Sequence, residues 1–426
     1  MPGELTRALP FVFSVGADKP SHYALALELL RFVRSTKMNQ CQKENIGKTL
    51  GLVLLFVAPV AAAQTNSPAF EPALSEDRPL LELSLRNYGY RPHVRGTRDK
   101  WYLAFADNNE LLLGWTTLDD PSADEKTGPL TPAPSHLHAL ILNARTGQKK
   151  NIQQWPTSSF YATIDPVGEG MFLVCTGTAI RLLSHDFGLV REQPLSRFTP
   201  CIADEVSPSR RSFSIDTGLD INFQRTLIDA ESFKPLGTWS EEALNVHFTD
   251  SLLVGNCRPK LEVCVRGISQ PWQPFEFPEM DEQMGHSKRI MPFFVNDSTL
   301  VLTTHRDLAA VTVEGTLLFR LSLPSKYSFG STATSAGGER FAIIETKMRG
   351  VTNKILDMYS FPADDHVVVY SLHERTAIYA RKMTGTSPWP PWIEHKNRLA
   401  ISPDGRLLAI FDDGILTVYQ LPAPKS

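Results

Sequence analysis

The chain has 426 residues, with 43 basic and 46 acidic side chains and a formal net charge of −3. That balance excludes a protein that holds nucleic acid by neutralising phosphates, which needs a clear surplus of Lys and Arg. With 42% hydrophobic and 21% charged residues, the chain is too apolar for a disordered one and ordinary for a globular one.

Leu50 to Ala63 reads LGLVLLFVAPVAAA, an apolar run without a charge. A membrane-crossing helix needs about 20 such residues, so this shorter run predicts the apolar region of a secretory signal. Lys43 and Lys48 precede it, Pro59 breaks its helix, and Ala61 and Ala63 supply the small residues of a cleavage site. Cleavage there leaves Gln64 first. Met38 is the expected initiator, which makes residues 38–63 the signal peptide and residues 1–37 a misassigned upstream extension. Within that extension, His22 to Ser35 has the pattern of a short amphipathic helix. Residues 64–78 read as a linker. The expected destination is secreted or periplasmic, with no transmembrane anchor after cleavage and no lipid-anchor cysteine. Cys41 leaves with the signal, so Cys175, Cys201, Cys257 and Cys264 remain, an even number that permits two disulfides in an oxidising space.

From residue 79 to 422 the chain repeats one layout: an apolar strand, a polar or Gly-containing turn, and another apolar strand. The turns fall near Asn108, Pro166, Pro208, Asp250, Asp297, Gly337 and Asp404. Most intervals match the roughly 40–50 residues of a four-stranded propeller blade. The clearest copy is Leu399 to Leu421, with a Ser402-Pro403-Asp404-Gly405 turn and an Asp412-Asp413-Gly414 hairpin turn. It supplies three strands: Leu399–Ser402, Arg406–Phe411 and Ile415–Leu421. The fourth is predicted to come from residues 80–86 in PLLELSLRN, which would close the ring and cover an open sheet edge. Residues 423–426 form a tail. Trp155, Trp239 and Trp272 fall in or beside fourth strands, where blade-to-blade packing accounts for them.

The run Leu399 to Phe411, with its Ser402-Pro403-Asp404-Gly405 turn, resembles the repeats of YVTN-type and WD-like propellers. The other copies keep the layout without the letters, and the Gly-His and Trp-Asp signatures of WD repeats are absent. The resemblance implies an all-β fold, a seven-bladed β-propeller of four-stranded antiparallel blades. It implies no particular activity, because this fold hosts scaffolds and unrelated enzymes alike.

No sequence motif for chemistry is present. Gly385-Thr386-Ser387-Pro388-Trp389 lacks the second Gly of a nucleophile elbow, and His373-Glu374 lacks the second His of a zinc helix. No cofactor is expected. His136 and His138 lie one residue apart on a predicted strand, so their rings share a face, but zinc needs a further ligand that spacing does not identify. The acidic turns at Asp107 and Asp412 read as hairpin chemistry rather than calcium loops. Asn296-Asp297-Ser298 has the form of a glycosylation acceptor in a turn. Cys257 and Cys264 are placed symmetrically about a hairpin turn at Pro259, which predicts a Cys257–Cys264 bridge. Cys175 and Cys201 fall in neighbouring blades and are the second candidate pair.

The leading expectation is a monomeric binding or scaffold module for a protein or envelope ligand. The alternative is a hydrolase or lyase with a site at the central channel mouth, marked by His, Asp, Glu or Arg converging there. Thr117–Ser135, Thr346–Asp364, Pro274–Lys288 and Thr384–Asn397 are long connections assigned to one face of the ring. Long loops in a compact domain concentrate function, and Trp389 and Trp392 in the last of them are candidate aromatic anchors.

Overall fold

A strand covered on both faces needs apolar residues at successive positions rather than at alternate ones. Leu111-Leu112-Leu113, Phe172-Leu173-Val174 and Leu407-Leu408-Ala409 are such runs, and every one of these side chains is buried. The computed structural model describes residues 74–90, 101–119, 135–157, 162–176, 179–195, 203–216, 224–240, 242–260, 262–275, 290–304, 306–323, 327–349, 361–383, 398–412 and 414–423. All of them belong to the compact unit Ser67–Ser426. The expected extension, signal and cleavage site lie outside the described residues.

The described residues form seven four-stranded antiparallel sheets. Blade 1 comprises Trp101–Phe105, Glu110–Leu118, Ser135–Asn143 and Lys149–Thr157. Blade 2 comprises Thr163–Val167, Met171–Cys175, Ala179–Leu183 and Leu189–Pro194, and blade 3 Ala203–Val206, Ser212–Asp216, Arg225–Asp229 and Pro235–Trp239. Blade 4 comprises Ala243–Phe248, Leu252–Cys257, Glu262–Gly267 and the short Gln273–Pro274. Blade 5 comprises Met291–Asn296, Thr299–Thr303, Asp307–Thr312 and Leu317–Ser322. Blade 6 comprises Tyr327–Thr334, Arg340–Arg349, Phe361–Ser371 and Thr376–Lys382. Blade 7 takes Leu399–Ile401, Leu407–Asp412 and Ile415–Gln420 from the end of the chain.

The fourth strand of blade 7 is Leu81–Ser84, paired antiparallel with Leu81 opposite Val418 and Ser84 opposite Ile415. The closure expected from the sequence is therefore present. It is extended by a strap: Ser75 N–H donates to the Ala380 carbonyl of blade 6 at 2.7 Å, and Leu80 N–H to Val418 at 2.7 Å. Between them the Arg381 guanidinium donates to the Asp77 carbonyl at 2.5 Å and lies 4.2 Å from the centre of the Tyr419 ring.

There is no single core. Each seam between neighbouring blades has its own apolar cluster. Phe319 and Phe341 belong to the seam of blades 5 and 6, Ile344 and Leu408 to that of 6 and 7, and Trp115 and Phe411 to the closing seam of 7 and 1. Burying a side chain such as Phe341 completely contributes about 1.5–3 kcal/mol, so the ring is stabilised seam by seam. First strands contact one another from blade to blade and form the inner wall.

Several boundaries differ from the sequence reading, among them the closing strand, which ends at Ser84 and passes into a 3-10 turn at Leu85–Tyr88. The blade 2 turn lies at Gly168–Gly170 rather than at Pro166, because the two glycines take the positive φ values of 55° and 66° that the turn demands. In blade 6 the ladder continues past Thr346, with Lys347 opposite Asp364 and Arg349 opposite Phe361. The flanks of that expected loop are therefore sheet.

Candidate interaction face

Strand direction sorts the connections. In an up-and-down blade, the turn after strand two and the link to the next blade leave at one end, and the other two turns leave at the opposite end. The roots of the four long connections, at Leu118 and Ser135, Pro274, Arg349 and Phe361, and Met383 and Arg398, all lie at the first end. Thr384–Asn397, including Trp389 and Trp392, lies outside the described residues, as do residues 120–134, 276–289 and 350–360.

The opposite end is sewn together. Asp404 N–H of blade 7 donates to Asn108 Oδ1 of blade 1 at 2.8 Å. Gly168 N–H of blade 2 donates to the Arg210 carbonyl of blade 3 at 2.7 Å. Ser207, Ser209 and Ser212 of blade 3 donate to the Asp250 carboxylate of blade 4 at 3.0, 2.6 and 2.7 Å. Asn296 of blade 5 donates to the Gly338 carbonyl at 2.7 Å, and Gly337 N–H of blade 6 donates to the Pro403 carbonyl of blade 7 at 3.0 Å. The Arg210 side chain crosses from blade 3 to the Ala106 carbonyl of blade 1 at 3.1 Å. Burial lowers its pKa to about 10, against the pull of Asp107 and Asp165. Burial, and then the neighbouring Asp250, raise the pKa of Asp297.

Short polar side chains close these turns from within. Asp107, Ser207, Thr249, Ser335 and Ser402 each accept a backbone N–H a few residues onward in their own turn. This recurring residue at the end of first strands is a sequence signal that the hydrophobic pattern alone overlooks. It also accounts for the acidic turn at Asp107 as turn chemistry. Asn296 is engaged on both sides of its amide, since it also accepts from Ser298 N–H at 2.9 Å.

On the loop-bearing face, buried charge fixes the roots. Arg398 donates to Asp412 at 2.7 Å and to Asp365 at 3.4 Å, and all three residues are buried. The Asp365 carbonyl also accepts Met383 N–H at 2.8 Å. Asp412 thus serves a blade-to-blade ion network. Nearby in blade 6, Glu345 is buried and accepts the Tyr370 hydroxyl at 2.6 Å. Burial raises its pKa to about 7, opposed by that hydrogen bond. None of these residues belongs to a sequence motif, because their partners lie on other strands or other blades.

His136 and His138 do share a face, on the third strand of blade 1. That strand is paired on both sides, so the pair does not lie on a sheet edge. His136 Nδ1 bonds Asp119 at 2.7 Å and His138 Nε2 bonds Thr117 at 2.7 Å, while the His138 ring stacks on Trp115 at 5.2 Å. Burial, and then His136, lower the pKa of His138. Among the described residues no three His, Cys, Asp or Glu are arranged to hold a metal ion. On the inner wall, His247 Nδ1 of blade 4 bonds Glu205 of blade 3 at 2.6 Å.

Cys257 and Cys264 form a disulfide with Cα atoms 5.9 Å apart. They are not directly opposite, as symmetry about the turn suggests. Cys257 faces Glu262 and Cys264 faces Gly255, so the bridge runs diagonally over one sheet face. Cys175 is also disulfide-bonded, and Cys201 lies outside the described residues. Trp155 meets Phe187 of blade 2 edge-on at 5.5 Å and Trp239 lies 6.2 Å from Phe248 of blade 4. Trp272 carries the Arg266 guanidinium at 4.9 Å.

No family model and no curated relative matches the chain. Among solved structures, the C-terminal WD40 domain of Sif2 aligns with 83% of this chain and 100% of its own, at 11% identity and a TM-score of 0.45. A chain of the mitotic checkpoint complex aligns with 84% of this chain and 99% of its own, at 13% identity and a TM-score of 0.43. BamB from Moraxella catarrhalis aligns with 76% of this chain and 86% of its own, at 12% identity and a TM-score of 0.36. On its own strand pairings and seam packing, the chain forms a seven-bladed β-propeller of four-stranded antiparallel blades.

Proposed function

We propose that this propeller is an exported binding or scaffold module that captures a protein or envelope ligand on its loop-bearing face. The observation that carries the reading is the asymmetry of the ring. One end is closed by short turns bonded from blade to blade, and the other holds the roots of every long connection. Rigid scaffolds present binding residues in this way. Trp389 and Trp392 are the proposed anchors, as aromatic side chains dominate interface energetics. Secretion or a periplasmic location rests on the signal-like run before Gln64, and the Cys257–Cys264 bridge suits an oxidising compartment.

The test is capture from the native envelope with the mature chain as bait, wild type beside the Trp389→Ala/Trp392→Ala double variant. The double variant is expected to lose the captured partner while keeping the thermal transition of the wild type. Equal capture by both removes the tryptophans from the account. N-terminal sequencing of the native protein is expected to begin at Gln64, and a native peptide from residues 1–37 rejects the start proposed at Met38.

A further inference from the structure

Blades 5 and 6 meet through stacked rings. Phe319 of blade 5 lies 6.4 Å from Phe341 and 6.2 Å from Tyr370, with interplanar angles of 13° and 25°. Phe341 and Tyr370, neighbours within blade 6, lie 5.2 Å apart. Tyr370 is the only ring of this stack with a polar end, and its hydroxyl donates to Glu345. One phenol therefore packs the seam and is tethered to a buried acid that lies mid-strand, nearer the loop-bearing end of the same blade than the phenol's own backbone.

Among the described residues, no cation bonds Glu345, whose hydrogen-bond partner is the Tyr370 hydroxyl. Opposite it stand Phe329 on the first strand of blade 6 and His366 on the third. Burial lowers the pKa of His366, against the pull of Asp364. Lys347, two residues along, lies with its ammonium 5.8 Å from the Tyr327 ring centre, and Lys382 pairs with Asp364 at 2.7 Å. Blade 5 offers Phe293, Val301, Leu308 and Leu321 to the seam. Of its charged groups, Arg306 bonds the Leu323 carbonyl, and Asp307 and Arg320 pair with each other.

We propose that Glu345 and Tyr370 form a proton-operated latch on the seam of blades 5 and 6, closed when the carboxyl is protonated and loosened on the loop-bearing side when it ionises. As a neutral acid, Glu345 is tolerated among apolar side chains and keeps Tyr370 in the stack. Once the proton leaves to solvent, the carboxylate needs water that the closed seam does not supply. Hydration opens this end of the seam and draws Tyr370 with it. The burial-raised pKa of Glu345 puts that loss near neutral pH. The latch is independent of which ligand the face captures.

The test is hydrogen exchange of the full chain between about pH 5.5 and 8.5, corrected for intrinsic exchange, following peptides of residues 317–323, 341–349 and 366–371. Protection of these peptides is expected to fall at least about tenfold across the range, while peptides of blades 1–3 hold theirs. In Glu345→Gln the seam peptides are expected to keep the low-pH protection throughout. Tyr370→Phe removes a bond that lowers the Glu345 pKa, so its midpoint moves to lower proton concentration, that is, to higher pH. Unchanged protection in the wild type, or the same pH dependence in Glu345→Gln, overturns the latch. If Glu345→Gln does not fold, the direction of the Tyr370→Phe shift decides.

Discussion

Asp365 grips both ends of the link that carries Trp389 and Trp392. Its carbonyl accepts Met383 N–H at 2.8 Å, and its carboxylate pairs with Arg398 at 3.4 Å. Arg398 also reaches Asp412 at 2.7 Å, so one buried cation ties the last two blades together where that link begins and ends. A buried ion pair adds little net stability over an apolar replacement, but removing one partner strands the others. Arg398→Met is therefore expected to destabilise the ring by about 3–5 kcal/mol in chemical denaturation. A cost below about 1 kcal/mol would show that other groups or water compensate both carboxylates.

The closing strand gives a second expectation. Leu416 and Val418 are fully buried under Leu81–Ser84 and its neighbours. Deleting residues 74–90 uncovers both and frees the edge of blade 7. A loss of about 3–5 kcal/mol and association on size-exclusion chromatography are expected. A circular permutant that returns the same segment after Leu421 should recover the wild-type transition; if it does not, the segment does more than fill the blade.

Closure and blade count were legible because each depends on local pattern. PLLELSLRN has the alternation of a strand and no neighbour of its own, and the Ser402-Pro403-Asp404-Gly405 turn announces a blade. The ends of strands were less legible. Thr346 to Arg349 contains Lys and Arg and reads as loop, yet pairing with Phe361–Asp364 holds it in the sheet. The buried charges were not legible at all. Glu345 looks like an exposed strand residue until Tyr370 and blade 5 cover it, and Arg398 looks like a loop cation until Asp365 and Asp412 flank it.

The diagonal disulfide carries a third expectation. It closes a short hairpin loop, with a sequence separation of 7 residues, so its entropic effect on the unfolded chain is modest. Cys257→Ser/Cys264→Ser is expected to cost about 2 kcal/mol in non-reducing denaturation. An unchanged midpoint would mean that the pair is reduced in the native protein.

Glu345 is expected to contribute one part of the pH dependence of stability. Its pKa rises from 4.5 in the unfolded chain to about 7 in the ring, because burial disfavours the carboxylate. Between those values the folded state binds more protons than the unfolded state, so stability falls as pH rises. The loss is about 3 kcal/mol, complete above the folded pKa. Glu345→Gln should flatten this part of the profile measured by urea denaturation. A slope retained in the variant assigns the effect to other groups.

The claim that one face of the ring does the binding is tested most directly by site-specific photo-crosslinking in the native envelope. A photoreactive residue is placed at Thr117 or Lys382, at roots of long connections on the loop-bearing face, and at Asn108 or Glu169 among the short turns. Adducts to one discrete partner are expected from the first pair of positions and none from the second. Adducts from Asn108 or Glu169, with none from Thr117 and Lys382, would contradict the account.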